Sequence, residues 1–191
     1  MRRIFPVALV AALLILGVAP ARAAEAAKPD SASSVIDKLY ARLAKTHYPE
    51  EVEGILAEIE HLRRQSGSDA ADLLLGRALQ ARESAKLDIA LPLLDAVVEL
   101  YPDWSEAWSE RATTRFQNGD VNGAMGDLAQ TLKREPRDVG ALTGLGSILT
   151  DAGEPEGALR AYDRALALAP AWERLKEARA RAQTLLWSRS P

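Results

Sequence analysis

From Val35 onward the apolar side chains return every three or four positions, the spacing of one buried face on an α-helix. Val35, Leu39 and Leu43 keep that spacing up to Thr46. After Tyr48-Pro49, the residues Val52, Ile55, Ile59 and Leu62 keep it up to Ser66-Gly67-Ser68. These two blocks predict a helix pair over 34–70. A longer order follows. Pro102, Pro136 and Pro170 stand 34 residues apart, and Ala90, Ala124 and Ala158 keep the same interval. So do the small residues Ala78, Ala112 and Gly146, the large residues Leu74, Trp108 and Leu142, and the series Leu94, Leu128 and Tyr162. Five columns in one register mark an internal repeat.

Each column has a physical task. Within a unit the first apolar pattern breaks at Asn118-Gly119 or Ala152-Gly153, where glycine can take the left-handed conformation that ends a helix. A second helical pattern then runs to the proline, which disfavours helix in the residue before it. The unit is therefore predicted to be two antiparallel helices. Small side chains on both let their axes approach, and Trp108, Leu128 and their equivalents fill the space alongside. One such pair cannot bury its own faces, so neighbours must stack to complete a core.

These columns resemble the tetratricopeptide repeat. That family has a 34-residue helix-turn-helix unit, with Trp or Leu at the fourth position and Gly or Ala at the eighth. It has Ala at the twentieth, Tyr, Phe or Leu at the twenty-fourth, and Pro at the thirty-second. In this chain the units are 71–104, 105–138 and 139–172. The third matches most fully, through Leu142, Leu145, Gly146, Leu149, Gly153, Ala158, Tyr162, Ala165 and Pro170. The first departs most: Ala85 stands where glycine usually ends the first helix, and Arg77 and Ala81 replace larger apolar groups. The expected fold is all-α, a solenoid of stacked antiparallel pairs. The pair at 34–70 would act as an N-terminal cap, and Trp172, Leu175, Ala182 and Leu186 suggest a closing helix after the third unit, with 173–191 as closing helix and tail.

The resemblance also implies where a partner binds. In this fold the first helices line a concave face through their second, fifth, ninth, twelfth and thirteenth positions. The first unit gives Asp72, Leu75, Leu79, Arg82 and Glu83. The second gives Glu106, Ser109, Thr113, Phe116 and Gln117, and the third gives Gly140, Thr143, Ser147, Thr150 and Asp151. Leu75, Leu79 and Phe116 beside hydroxyls would suit an extended or helical peptide. For Leu75 and Leu79 a second placement is open, packing beneath the N-terminal pair. Repeats that grip a C-terminal carboxylate use Lys, Asn and Arg at the second, fifth, sixth and ninth positions. None of these residue types stands there in this chain, where the sixth positions are Gly76, Glu110 and Gly144. A carboxylate clamp is therefore not expected.

Composition narrows the function classes. Aromatic residues are 5% of the chain against 48% hydrophobic, a balance typical of Ala/Leu-rich helices rather than strands. The 24 basic residues face 27 acidic ones, so no polycationic surface invites nucleic acid. Cysteine is absent, which removes disulfides and thiolate chemistry. The N-terminus reads as a secretory signal: Met1-Arg2-Arg3, an apolar run from Ile4 to Val18, then Ala21-x-Ala23 as a cleavage site after Ala23. An uncleaved anchor is the other reading, for which the run is short of the roughly 20 residues a span needs. Cleavage removes three of the 24 bases and none of the 27 acids, so 21 − 27 leaves −6, a charge favouring solubility. Residues 24–33 read as a disordered linker and the mature chain as periplasmic or secreted, with no membrane span.

Little in the chain suggests chemistry. His47 and His61 lie near several glutamates, but their separation fits no compact ligand motif. Neither a nucleophile elbow nor a phosphate-cradling glycine loop is present. No catalytic residue, metal or cofactor is expected. Arg111 and Arg115 occupy positions usually apolar, and Arg111 is expected to pair with Asp127. The chain thus reads as a non-catalytic, exported scaffold or adaptor for a protein or peptide partner. The alternative is a self-associating envelope protein that stacks through Trp187 and its closing helix, a homo-oligomer.

Overall fold

The structure is a computed structural model and describes residues 31–189. The signal segment and nearly all of the linker lie outside the described residues. Nine helices account for the described chain, which contains no strand: α1 (Ala32–Lys45), α2 (Pro49–Arg63), α3 (Asp69–Glu83), α4 (Leu87–Leu100), α5 (Ser105–Gln117), α6 (Val121–Arg134), α7 (Val139–Asp151), α8 (Pro155–Leu168) and α9 (Glu173–Arg189). None is long and apolar enough to cross a membrane. The helix α1 begins inside the stretch read as linker, because Ser31 caps it by accepting a hydrogen bond from the Ser34 amide.

The repeat is expressed in the backbone. The helices α3–α4, α5–α6 and α7–α8 pack as pairs, and each pair packs on the next, with α9 closing the last. The residues before the three prolines, Tyr101, Glu135 and Ala169, have φ of −128°, −129° and −131°. The three corners are thus one conformation used three times. The turn between paired helices is also repeated. Gly119 and Gly153 sit at φ of 81° and 73°, and Ala85 takes the same left-handed region at 57°. A β-carbon is strained there by about 1 kcal/mol. The helix-ending bonds nevertheless form alike in all three units, Lys86 to Ala81, Asp120 to Arg115 and Glu154 to Leu149.

Side-chain volumes are matched across each pair. Ala78 and Leu94, then Ala112 and Leu128, face each other in the first two units, all buried. The third unit uses Gly146 against Tyr162. A β-carbon at 146 would lie 2.5 Å from Cε1 of that ring, which is itself 2% exposed. The ring has no free volume into which to retreat. Gly146→Ala is therefore expected to cost about 1–3 kcal/mol by overpacking. Adding Tyr162→Leu, which restores the Ala–Leu pairing of the other units, should recover part of that loss. Urea unfolding of the two single variants and the double variant measures the coupling, and a neutral Gly146→Ala would refute the steric account.

The N-terminal pair forms where its apolar spacing predicts, but its packing partners are distant in sequence. Leu39, Tyr40, Leu43, Val52, Ile55 and Ile59 share one core with Val139, Leu142 and Tyr162 of the third unit and Leu175 of α9. The cores of the first unit include none of them. The pair folds back past two repeats and caps the C-terminal half. Arg137 reinforces this, stacking 4.6 Å from the Tyr40 ring centroid and bonding Asp37 at 2.8 Å.

Candidate functional site

A cavity of about 420 Å³ opens on the concave side. Its floor is α5, presenting Ser109, Thr113 and Phe116, and its far wall is α7, with Gly140, Gly144, Ser147 and Ile148. Small residues at 140 and 144 keep that wall open. Arg82 from α3 lies on the opposite side, while Glu60, Arg63 and Arg64, at the end of α2, close the edge beside the first turns of α5 and α7. One end is thus charged, and the other, around Phe116, Ala112, Leu128 and Ile148, is apolar.

Of the residues expected to line the groove, Arg82, Glu106, Ser109, Thr113, Phe116, Gly140 and Ser147 come together in this cavity. Asp72, Glu83, Gln117, Thr143, Thr150 and Asp151 do not line it. Thr143 and Thr150 return their hydroxyls to the carbonyls of Val139 and Gly146 on their own helix. Leu75 is a correction. At 2% exposure it belongs to the core of its own unit with Ala78 and Leu94, and Leu79 packs half-buried against the same cluster. Buried Leu75 is therefore not open to a partner, and neither residue belongs to the core formed by the N-terminal pair. Trp104 lies against their cluster, donating its indole N–H to the Arg63 carbonyl at 2.9 Å.

The charged end is an ion network that periodicity does not reveal. Arg63 bonds Asp138 at 2.6 Å and lies 3.3 Å from Glu106. Arg64 bonds Glu110 at 2.9 Å, and Arg82 bonds the other oxygen of Glu110 at 2.5 Å. Glu106, Glu110 and Asp138 are each at most 5% exposed, and Arg63 is 9% exposed. Asp138 also caps α7 through the Ala141 amide. Burial pushes the Glu106 carboxyl up to about 8; Arg63 and Arg64 oppose the rise, and the neighbouring Glu110 and Asp138 add to it. Glu60 is also raised, by burial first. The sequence offered no route to Arg63 and Arg64. Two arginines closing a helix are already explained by the dipole there, and their partners lie more than forty residues away.

Other expected groups are structural. Arg111 grips Asp127 through two bonds of 2.9 and 2.7 Å, and Arg115 adds a third at 3.0 Å. Arg111 and Arg134 lie 4.9 and 4.8 Å from the Trp108 ring centroid. His47 and His61 are both exposed. Among the described residues no group of three or more His, Asp or Glu is placed to hold a metal ion.

Comparison with known proteins agrees with the repeat geometry. The tetratricopeptide repeat model matches residues 73–130 and 110–171. A TPR repeat-containing protein of Rhizobium etli is 35% identical over 136 residues, 71% of this chain and 67% of that one. Among solved structures, MamA superposes with a TM-score of 0.59 at 16% identity, covering 81% of this chain and 84% of its own. The first TPR domain of Spaghetti, bound to the HSP90 peptide SRMEEVD, gives 0.58 at 18% identity over 61% of this chain and 95% of that domain. The Yersinia enterocolitica secretion chaperone SycD, in complex with a peptide of the translocator YopD, gives 0.55 at 19% identity, covering 63% and 92%. With its 34-residue corners, matched helix pairs and this extent of similarity, the chain belongs to the tetratricopeptide repeat family.

Proposed function

We propose that the protein is a non-catalytic scaffold or adaptor, exported to the bacterial envelope, that holds a peptide segment of another protein in its concave groove. One observation carries the reading: the cavity joins an exposed Phe116 and the hydroxyls of Thr113 and Ser147 to an apolar wall, with no unpaired cation in its lining. Spaghetti and SycD hold peptides on the same fold, which supports a peptide as ligand here. The proposal excludes a carboxylate clamp. Arg63, Arg64 and Arg82 do line the cavity, but they face Glu60, Glu106, Glu110 and Asp138, three bases against four acids. An incoming carboxylate would have to displace buried acids from these arginines, at a cost in desolvation and repulsion. The partner is read instead by an apolar side chain beside Phe116 and by hydrogen bonds to the hydroxyls.

Export rests on the N-terminal pattern, the arginines followed by the apolar run and Ala21-x-Ala23. Crosslinking in intact, fractionated cells tests both halves. A photoreactive residue at 113 should trap a polypeptide in the periplasmic or secreted fraction. Phe116→Glu should reduce that capture at least about tenfold, the loss of one central anchor, with helicity unchanged. Capture that survives Phe116→Glu and a large residue at 113 would move the site elsewhere, and product confined to the cytoplasm would end the export reading.

A further inference from the structure

Two of the acids that line the cavity lack donors. Glu110 accepts from Arg64 on one oxygen and from Arg82 on the other, and Asp138 accepts from Arg63 and from the Ala141 amide. Among the described residues Glu106 accepts no hydrogen bond; Arg63 and Arg64 lie 3.3 and 3.7 Å from its oxygens. Glu60 forms neither a hydrogen bond nor an ion pair among them. A carboxylate offers about four acceptor sites, and Glu106, at 4% exposure, has little water to fill them. Burial accordingly holds both carboxyls above the ordinary range. The three guanidiniums are already committed to Glu110 and Asp138. Further donors would have to come from whatever enters the cavity.

The wall formed by α7 sets the distance between these acids and the apolar end. A β-carbon at 140 would lie 3.8 Å from Oε1 of Glu60, which places that carboxylate beside the first turn of α7. Gly140, Gly144 and Ile148 then line the cavity at intervals of four, along one face of the helix. From 140 to 148 the wall runs about 12 Å, at ~1.5 Å per residue. An extended peptide covers that length in roughly three to four residues.

We propose that the segment held in the groove is basic and apolar together: a lysine or arginine set against Glu60 and Glu106, and roughly three to four residues away a large apolar side chain set against Phe116, Leu128 and Ile148. The inference rests on the peptide-groove reading and adds the chemistry of its ligand. Lysine brings three donors and arginine five, each with the charge that favours an ionised carboxylate. A neutral segment would leave both acids unfilled, and an acidic one would add repulsion. The surplus is specific to the lining: its other two acids already hold all three arginines, so an incoming base competes with no existing hydrogen bond.

Random heptapeptides displayed on phage and panned against the full chain test it. Enriched sequences should place Lys or Arg three or four positions from Leu, Ile, Met or Phe. A synthetic copy of the most enriched sequence, blocked at both ends, is then titrated by fluorescence anisotropy. Phe116→Ala should weaken its binding at least about tenfold, the loss of a central anchor. Glu60→Gln should weaken it about fivefold or more with unchanged circular dichroism. Replacing the peptide's base by Gln should cost as much on the wild-type chain and little more on Glu60→Gln, the signature of a coupled pair. Enriched peptides that depend on Phe116 but are neutral or acidic, or whose base is indifferent to Glu60→Gln, would overturn this inference and leave the groove reading standing. Peptides that bind Phe116→Ala as well as wild type, or a library that shows no enrichment, would remove the groove reading and this inference with it.

Discussion

Arg63→Ala should lower the free energy of unfolding by about 3–5 kcal/mol, the scale for removing one partner of a buried ion cluster. The residue is 9% exposed and stands between two acids that are themselves 4% exposed, Asp138 and Glu106. Without the guanidinium those acids remain in a medium that solvates them poorly, with Glu110 nearby adding repulsion. The loss is also topological. Arg63 is the last residue of α2, and its partners lie at the start of α5 and at the cap of α7, so the cluster ties the folded-back hairpin to the solenoid. A second variant separates the mechanism from simple loss of contact. Arg63→Met with Glu106→Gln and Asp138→Asn removes the guanidinium and both acids beside it while Asn still caps α7, and it should recover most of the stability. Urea unfolding gives both numbers. A single variant within about 0.5 kcal/mol of wild type, the range of ordinary surface changes, would show that the cluster is solvated.

Stability should also fall as pH rises through the neutral range, and Glu106 sets the direction. Its folded carboxyl titrates at about 8, against 4.5 for the reference group. Between those values the folded chain holds a proton that the unfolded chain has released. The derivative of unfolding free energy with pH is therefore negative, approaching about 1.4 kcal/mol per pH unit for one full proton. This contribution is complete below pH 4.5 and is lost as pH passes through 8. Glu60, raised in the same direction, adds to the slope. Glu106→Gln keeps the neutral hydrogen-bonding group at all pH values. It should be close to wild type near pH 5, more stable than wild type near pH 9, and flatter between. A wild-type profile that rises from pH 5 to 8, or a Gln variant with an unchanged slope, would refute this assignment. The expected sign is opposite to that of an ordinary ion-paired carboxylate, because burial dominates over the nearby arginines.

The reach of sequence reasoning can be followed residue by residue. Pro102, Pro136 and Pro170 announced three equivalent corners, and the backbone angles beside them agree within a few degrees. Arg111 and Asp127, sixteen residues apart on adjacent helices, were legible because the repeat fixes how those helices pair. Seven of the fifteen groove positions also fall in one cavity, for the same reason. Leu75 failed because its position in the repeat predicts a direction but not a neighbour. In the first unit Trp104 occupies the adjoining space and turns a groove position into core. Arg63, Arg64 and Glu60 escaped notice because no local pattern records a contact made across an intervening repeat.

The sequence by itself thus determined what is local and periodic: the paired helices, their turns, the pairing of small with large side chains, and the family. These follow from spacing and steric preference within a few dozen residues. The tertiary structure alone decided where the N-terminal pair docks and which charges enter the groove. An amphipathic helix declares that it has a face to bury, but the hydrophobic effect is non-directional and does not name the surface that will bury it.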